Sequence, residues 1–336
     1  MYLAIHGYQT ISFTACGSNV EARRLSLKTL KKASNSTYRK KWIKKDSTQA
    51  VIMLSPMLIG FILFTYVPIV YILRNAFYES NGFKETFIGL ENFVRVFTRD
   101  KAYWSSLLNT IVLAFGKLAV EIPLALLLAV LLNKGMKGTG IFRTVFFMPT
   151  VISAAIAGLI FSLMFASFNG TVNGMLQNIG LIDEPIRWFS YKGTALFVIG
   201  FASVWNNFGI NMVFFLMALQ SVPKELYECS DLDGVNPIQR FFKITLPMIG
   251  PTFQVVILNA IVGSLKMADL VLSTTNGQPG GKTEVVMTYV FKYFFGYDGR
   301  AIEVGYASAM ALVTAVVVAL ISGIYMRSSK KLGNSY

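Results

Sequence analysis

AVIMLSPMLIGFILFTYVPIVYIL, residues 50–73, runs for 24 positions without one Asp, Glu, Lys or Arg. About 20 apolar residues are enough to cross the roughly 30 Å of hydrocarbon in a bilayer as a helix. In lipid, only a helix or a closed barrel satisfies every backbone polar group. The stretch therefore predicts a membrane span. Five more apolar runs follow it: Asn109–Leu132, Arg143–Ala166, Thr194–Leu219, Pro247–Leu270 and Val304–Met326. Pro56, Pro68, Pro123 and Pro149 fall in or near spans, where packed neighbours can take up the carbonyls that proline frees. The expected fold is an all-α membrane protein of six transmembrane helices, 50–326, between an N-terminal tail, 1–49, and a short C-terminal tail, 327–336.

Composition agrees. The chain of 336 residues is 54% hydrophobic and 14% charged, against about 25% charged in a soluble domain. Its formal charge of +14 is concentrated: ten Lys and Arg fall between Arg23 and Lys45, with Asp46 the one acidic residue between them and the first span. A nucleic-acid module would need a folded basic surface with aromatics or a groove-reading helix. A juxtamembrane tail held in the cytoplasm and drawn to anionic lipid fits better, so the expected partner is the lipid bilayer and no nucleic acid. Six spans put both termini on one side of the membrane, and the basic tail marks that side as the cytoplasm. Lys134, Lys137 and Arg143 after span two, and Arg327, Lys330 and Lys331 at the C-terminus, follow the same rule. The outer connection 74–108 weakens the bias with Arg74, Lys84, Arg95, Arg99 and Lys101, although Glu79, Glu85, Glu91 and Asp100 are interleaved there. The first twenty residues lack the unbroken apolar core of a cleavable signal. Two cysteines, Cys16 and Cys229, and the single His6 give no material for a disulfide framework, a metal site or histidine catalysis.

The connection between spans four and five, 220–246, reads as two short helices on the cytoplasmic face. Ser221 can cap the first, with Pro223 near its opening turn and Glu225 and Glu228 towards that end. Asp233 and Gly234 supply the break, since Gly accepts a left-handed conformation after a helix. Asn236 caps a second helix with Pro237 at its first position. The expectation is a rigid elbow rather than a flexible link.

Glu228, Cys229, Ser230, Gly234, Ile244, Leu246 and Pro247 also fit a longer pattern: Glu, two small residues, three of any kind, Gly, nine of any kind, Ile, one of any kind, Leu-Pro. This resembles the signature loop of inner-membrane permeases of binding-protein-dependent ABC importers. Cys229 and Ser230 stand where the family usually has Ala-Ala. FIGLENF at 87–93, LNT at 108–110, GTGIFRTVFFMP at 138–149, GSLKMAD at 263–269, TNGQP at 275–279 with Thr283, and GYASA at 305–309 extend the likeness to the sugar-importing, maltose-type branch. It covers about residues 50–326. Ala268 replaces a usual aromatic and Gln278 a usual Gly. The likeness implies a coupling helix pair that docks on a separate ATPase through Glu225, Glu228, Cys229, Ser230, Asp233, Gly234, Ile244, Leu246 and Pro247. It also implies a second homologous permease, two copies of a cytoplasmic ATP-binding subunit, and an extracytoplasmic solute-binding protein that delivers a sugar or oligosaccharide.

No Gly-x4-Gly-Lys-Ser/Thr loop is present; Gly277 to Thr283 comes one residue short and follows a membrane helix rather than a strand. No cofactor is expected on this chain, with ATP and Mg used by the partner ATPase. Polar residues within spans face protein or water. Trp205, Asn206, Asn207 and Asn211 in span four, Gln254 and Asn259 in span five, and Lys266 and Asp269 near its end are the candidates for a substrate path. The competing role is hydrogen-bonded glue between helices. Lys117 and Glu121, one turn apart, and Lys266 and Asp269, three apart, read more readily as self-neutralising pairs than as proton relays. The alternative function is an ion-coupled secondary transporter of a small polar solute. A membrane enzyme lacks paired acids or an activated nucleophile, and a basic-tailed scaffold would leave the loop pattern without a role.

Overall fold

The computed structural model describes residues 47–135 and 137–333; Cys16, His6 and the basic stretch 23–45 lie outside the described residues. The chain divides after Val70 into two units. In the first, the described residues belong to α1 (Ser47–Asn75). This helix widens into a π turn at Ile62–Tyr66, where the Val67 N–H reaches back to the Ile62 carbonyl. Pro68 follows two residues later. It cannot donate to the carbonyl four residues back and its ring crowds that turn, and the extra residue in the π turn absorbs the conflict.

The second unit opens with a hairpin that the all-α reading did not foresee. Strands β1 (Tyr78–Ser80) and β2 (Glu85–Phe87) pair antiparallel, Tyr78 opposite Phe87. Asn81 closes the turn by accepting from the Phe83 and Lys84 N–H groups. A short helix, α2 (Glu91–Thr98), leads into α3 (Lys101–Asn133). This helix starts two turns before the expected Asn109 because Asp100 caps it, accepting from the Tyr103 N–H. The apolar run left 101–108 in the outer connection; the cap and the packing of Tyr103 and Leu107 make it helix.

Span three is not one helix. α4 (Thr139–Val151) and α5 (Ala154–Met164) meet at 94°. Ile152 is extended, and Ser153 starts the new helix as its N-cap, its hydroxyl accepting from the Ile156 N–H. α6 (Thr171–Asn178) and the long α7 (Lys192–Gln220) follow, then α8 (Lys224–Leu232) and α9 (Pro237–Met248). Span five is also bent: α9 joins α10 (Gly250–Leu265) at 72°. Pro251, in the first turn of α10, cannot donate to the carbonyl of Pro247. A second π turn, Phe241–Thr245, again lies two residues ahead of a proline, Pro247. The expected run to Leu270 stops at Leu265, and α11 (Asp269–Thr274), α12 (Val286–Phe295) and α13 (Val304–Gly333) complete the chain. Among the described residues four helices are long and apolar enough to cross a membrane, or up to six if each bent pair counts as one span.

Apolar clusters among the described residues hold the second unit, three of them large. Ala125, Ala129, Met212, Phe215 and Val256 join α3, α7 and α10. Phe161, Val198, Ala202 and Val271 join α5, α7 and α11. Tyr103, Val286, Tyr306 and Met310 join α3, α12 and α13. Small residues at these crossings let backbones approach closely, which matters where lipid offers no hydrophobic drive to association. At Gly305 a Cβ would stand 1.9 Å from the Tyr78 carbonyl oxygen, so α13 meets the hairpin only because that residue has no side chain. The opposite faces carry exposed Val112, Phe115, Leu127, Val316 and Leu320, apolar surface suited to lipid.

Around the hairpin the packing is polar and long-range. Asp100 accepts from the hydroxyls of Tyr289 at 2.9 Å and Tyr306 at 2.5 Å. Asn92 donates to the carbonyls of Ala76 and Tyr78, and Asn109 to those of Lys282 and Glu284. Arg95 pairs with Glu303 and lies 3.8 Å above the Tyr306 ring. The buried Lys292 Nζ sits 2.9 Å from Glu284 and 3.0 Å from Asp298, and Arg300 closes on the other oxygen of Glu284 at 3.2 Å.

Candidate functional site

Two places gather the residues that the sequence singled out. The first is a cavity of about 270 Å³ between α3, α7, α10 and the break ahead of α11. Ser203, Asn207 and Asn211 recur at helical spacing along α7, and Lys117 and Glu121 form the matching stripe on α3, the helix against which α7 packs most extensively. Lys117 Nζ lies 3.3 Å from Glu121 Oε2 and donates to Ser203 Oγ at 3.1 Å. Asn211 Nδ2 donates to Glu121 Oε1 at 2.6 Å. The result is one chain of side chains, Ser203, Lys117, Glu121 and Asn211, along the cavity wall. Asn207 donates to the Ser203 carbonyl within its own helix, and Asn259 is exposed on the α10 side.

Lys266 and Asp269 also line this cavity but do not pair with each other: among the described residues neither takes part in an ion pair. Three residues apart on a continuous helix they would be neighbours. Here α10 has ended at Leu265, and Met267 and Ala268 are not helical, so both charges stand exposed at the rim.

The remaining candidates are committed elsewhere. Asn206 touches the cavity, but its Nδ2 donates to the carbonyls of Pro149 and Ile152, 2.8 and 3.1 Å away. A straight span three would have used those carbonyls itself, so Asn206 satisfies the bend. Trp205 lies outside the cavity, packed on the Phe161 ring at a centroid distance of 5.5 Å. Gln254 lies outside as well and ties α10 to α13 through the Ser329 carbonyl. The sequence reading took Lys117 and Glu121 as a self-neutralising pair and did not put them forward as path residues, whereas Ser203 already stood in the polar stripe of span four. The signal was present as two polar stripes of period four in different spans, which only helix pairing could bring face to face. Among the described residues no group of three or more His, Cys, Asp or Glu forms a metal site.

The second place is the elbow. α8 ends in a Schellman motif: Val235 N–H bonds the Ser230 carbonyl and Gly234 N–H that of Asp231, with Gly234 at φ +67°. Asn236 Oδ1 then accepts from Ile238 and Gln239 N–H, with Pro237 opening α9. Ser221 does not cap α8. It ends α7, its hydroxyl donating to the Ala218 carbonyl, and Pro223 holds the capping position without a side-chain bond. Asp231 pairs with Arg240 across the turn, and Tyr227 shares a 3.2 Å hydrogen bond with Thr245. Ser230 is buried, while Glu225, Glu228, Cys229 and Asp233 are exposed. Of the end of the pattern, Ile244, Leu246 and Pro247 are partly buried where the π turn enters the bend. Leu232 is 89% exposed and Ile238 67%, so the tip of the elbow carries apolar side chains that this chain leaves uncovered.

Apolar spans around a polar cavity define a multi-pass membrane protein with the interior of a transporter. Residues 121–334 match the family described as binding-protein-dependent transport system inner membrane component, and the chain belongs to that family. The probable ABC transporter permease protein YesP of Bacillus subtilis (strain 168) is 35% identical over 85% of this chain and 92% of its own length. The arabinooligosaccharides transport system permease protein AraP of the same organism is 31% identical over 82% of this chain and 86% of its own. A crystal structure of a bacterial alginate ABC transporter, in complex with an alginate pentasaccharide-bound periplasmic protein, is similar with a TM-score of 0.75. It is 25% identical over 87% of this chain and 97% of that one. The likeness to the carbohydrate-uptake branch of importer permeases therefore holds.

Proposed function

We propose that this chain forms half of the translocation path of an ATP-driven importer for a sugar or oligosaccharide. A second homologous permease supplies the other half. Two copies of a cytoplasmic ATP-binding subunit drive the pair, and an extracytoplasmic binding protein delivers the cargo. Six spans, with α4–α5 and α9–α10 as bent spans three and five, leave both termini and the elbow in the cytoplasm. The carbohydrate named for AraP and the periplasmic partner of the alginate importer support the cargo class and the delivery step.

The observation that carries the reading is the elbow. It is capped on both sides of Gly234, joined to α7 and α10, and presents exposed Glu225, Glu228, Cys229 and Leu232. A rigid body of that kind transmits closure of a partner ATPase as rocking of the spans, a two-state coupling through a packed interface. Asn207, Asn211, Asn259, Lys266 and Asp269, with Ser203, are the groups offered to the cargo. The test is uptake into proteoliposomes by the complete complex. Transport requires ATP, and Gly234→Asp abolishes it while the subunits still co-purify. Uptake driven by an ion gradient without the ATPase would instead establish a secondary transporter.

A further inference from the structure

Four charged groups line the cavity, and they cancel. Lys117 and Glu121 are buried and 3.3 Å apart; Lys266 and Asp269 stand exposed at the rim. The rest of the polar lining is amide or hydroxyl. Helix packing alone does not call for the buried pair. Ala125, Ala129 and Met212 already close α3 on α7, and uncharged partners would glue the helices without the cost of desolvating two ions. The pair nevertheless lies at the wall, each member held by a further bond, Lys117 to Ser203 and Glu121 to Asn211.

We infer that the Lys117–Glu121 pair is a charge-selectivity device that fixes the wall at zero net charge, so the cavity takes uncharged saccharides and rejects sugar acids. The inference rests on the reading of this cavity as a saccharide path. A hydroxyl both donates and accepts, so a neutral sugar finds partners among amides, Ser203 and the rim without bringing a charge. A carboxylate must shed water and finds the buried lysine already matched by Glu121. Glu121 is thus a specificity-determining residue that acts through Lys117 and Asn211.

The test uses the assembled transporter in nanodiscs and matched saccharide pairs that differ only in charge. Galactose through galactotriose are set against galacturonate through trigalacturonate, with binding read by saturation-transfer NMR at neutral pH. The wild type binds the neutral member of a pair by about tenfold or more over the acid. Glu121→Gln leaves Lys117 unmatched and shifts that ratio by about tenfold towards the acid; Lys117→Gln shifts it the other way. Lys117→Gln/Glu121→Gln together restore the wild-type preference, which also shows that the spans still assemble. Equal loss of both members in each single variant, with the ratio unmoved, would mean a purely structural pair and overturns the inference. So does a wild type that binds the acids as well as the neutral sugars, or binds no neutral member. Failure of the importer reading is seen separately, as uptake indifferent to ATP and to Gly234→Asp.

Discussion

At the hairpin end, Asp100 is held by tyrosines 189 and 206 positions further along the chain. At the elbow, Asp231 finds Arg240 only nine residues on. The first region is braced by buried ions and hydroxyls drawn from α3, α12 and α13, and cannot form until those elements have met. The second is built from its own sequence: a Schellman turn, an Asn cap and a proline. The difference bears on mechanism. On the proposed reading, the elbow must keep its shape while the spans above it move, and a locally specified motif does so without help from its surroundings. The hairpin end gains order from contacts that a moving span would have to break.

The largest effect expected from this contrast is at Lys292. Its side chain is 1% exposed and meets Glu284, Asp298 and the Asn276 carbonyl. Lys292→Met leaves the buried Glu284 with Arg300 alone and costs about 3–5 kcal/mol, the usual penalty for breaking a buried pair by removing one partner. Thermal unfolding of the purified complex checks it. A melting point equal to wild type would mean that the hairpin end does not rest on buried ions.

Next is the tyrosine pair on Asp100. Tyr289→Phe removes a hydrogen bond to a charged group and costs about 1.5–3 kcal/mol. The same residue gives the region a pH signature. Burial chiefly, with Tyr293 and Asp100 beside it, pushes the Tyr289 hydroxyl well above its ordinary value. A raised folded-state value contributes stability that is complete below the unfolded value of about 10 and lost as pH climbs above it. Denaturation curves of the complex should therefore show no Tyr289-dependent change between about pH 6 and pH 9. An alkaline loss beyond that range should flatten in Tyr289→Phe. A loss that persists unchanged in the variant would assign it to other groups.

Smaller still are the elbow's caps. Asn236→Ala and Gly234→Ala should each cost about 1 kcal/mol, the first through the lost cap and the second through a left-handed backbone that a Cβ resists. No neighbour crowds Gly234, so conformation alone sets that cost. If the elbow transmits force, ATP-driven uptake falls further in these variants than stability does. Loss of uptake only in step with loss of folded protein would remove that distinction.

The same contrast explains what could be read from the sequence. Asp233, Gly234, Asn236 and Pro237 act on neighbours one to four residues away, so the elbow was legible residue by residue; only Ser221 misled, because the end of α7 claimed it. The apolar runs marked where helices lie but not where they bend. The breaks at Ile152 and Ile249 depend on Asn206 from another span and on Pro251 meeting Pro247. The cavity was half legible. Asn207, Asn211 and Asn259 stood out as polar residues in lipid, whereas Trp205 and Gln254 were spoken for by Phe161 and Ser329, partners at a distance that no local pattern reveals. The bracing at Asp100 and Lys292 went unread for the same reason.

The sharpest check on the elbow's autonomy is also the smallest in size. Asp231 is 64% exposed at its side chain, and its pairing with Arg240 crosses the turn that Gly234 makes. An exposed pair of this kind contributes roughly 0.2–1 kcal/mol, because water screens it and two long side chains must be held still. If backbone caps shape the elbow, Asp231→Asn leaves both the melting point and ATP-driven uptake close to wild type. The residual difference should vanish at high salt. If uptake collapses while the fold survives, the turn is clamped by side chains, and the elbow would resemble the hairpin end after all. The outcome can be read against Asn236→Ala in the same complex: a cap variant more harmful than the ion-pair variant is the order that a backbone-built elbow requires.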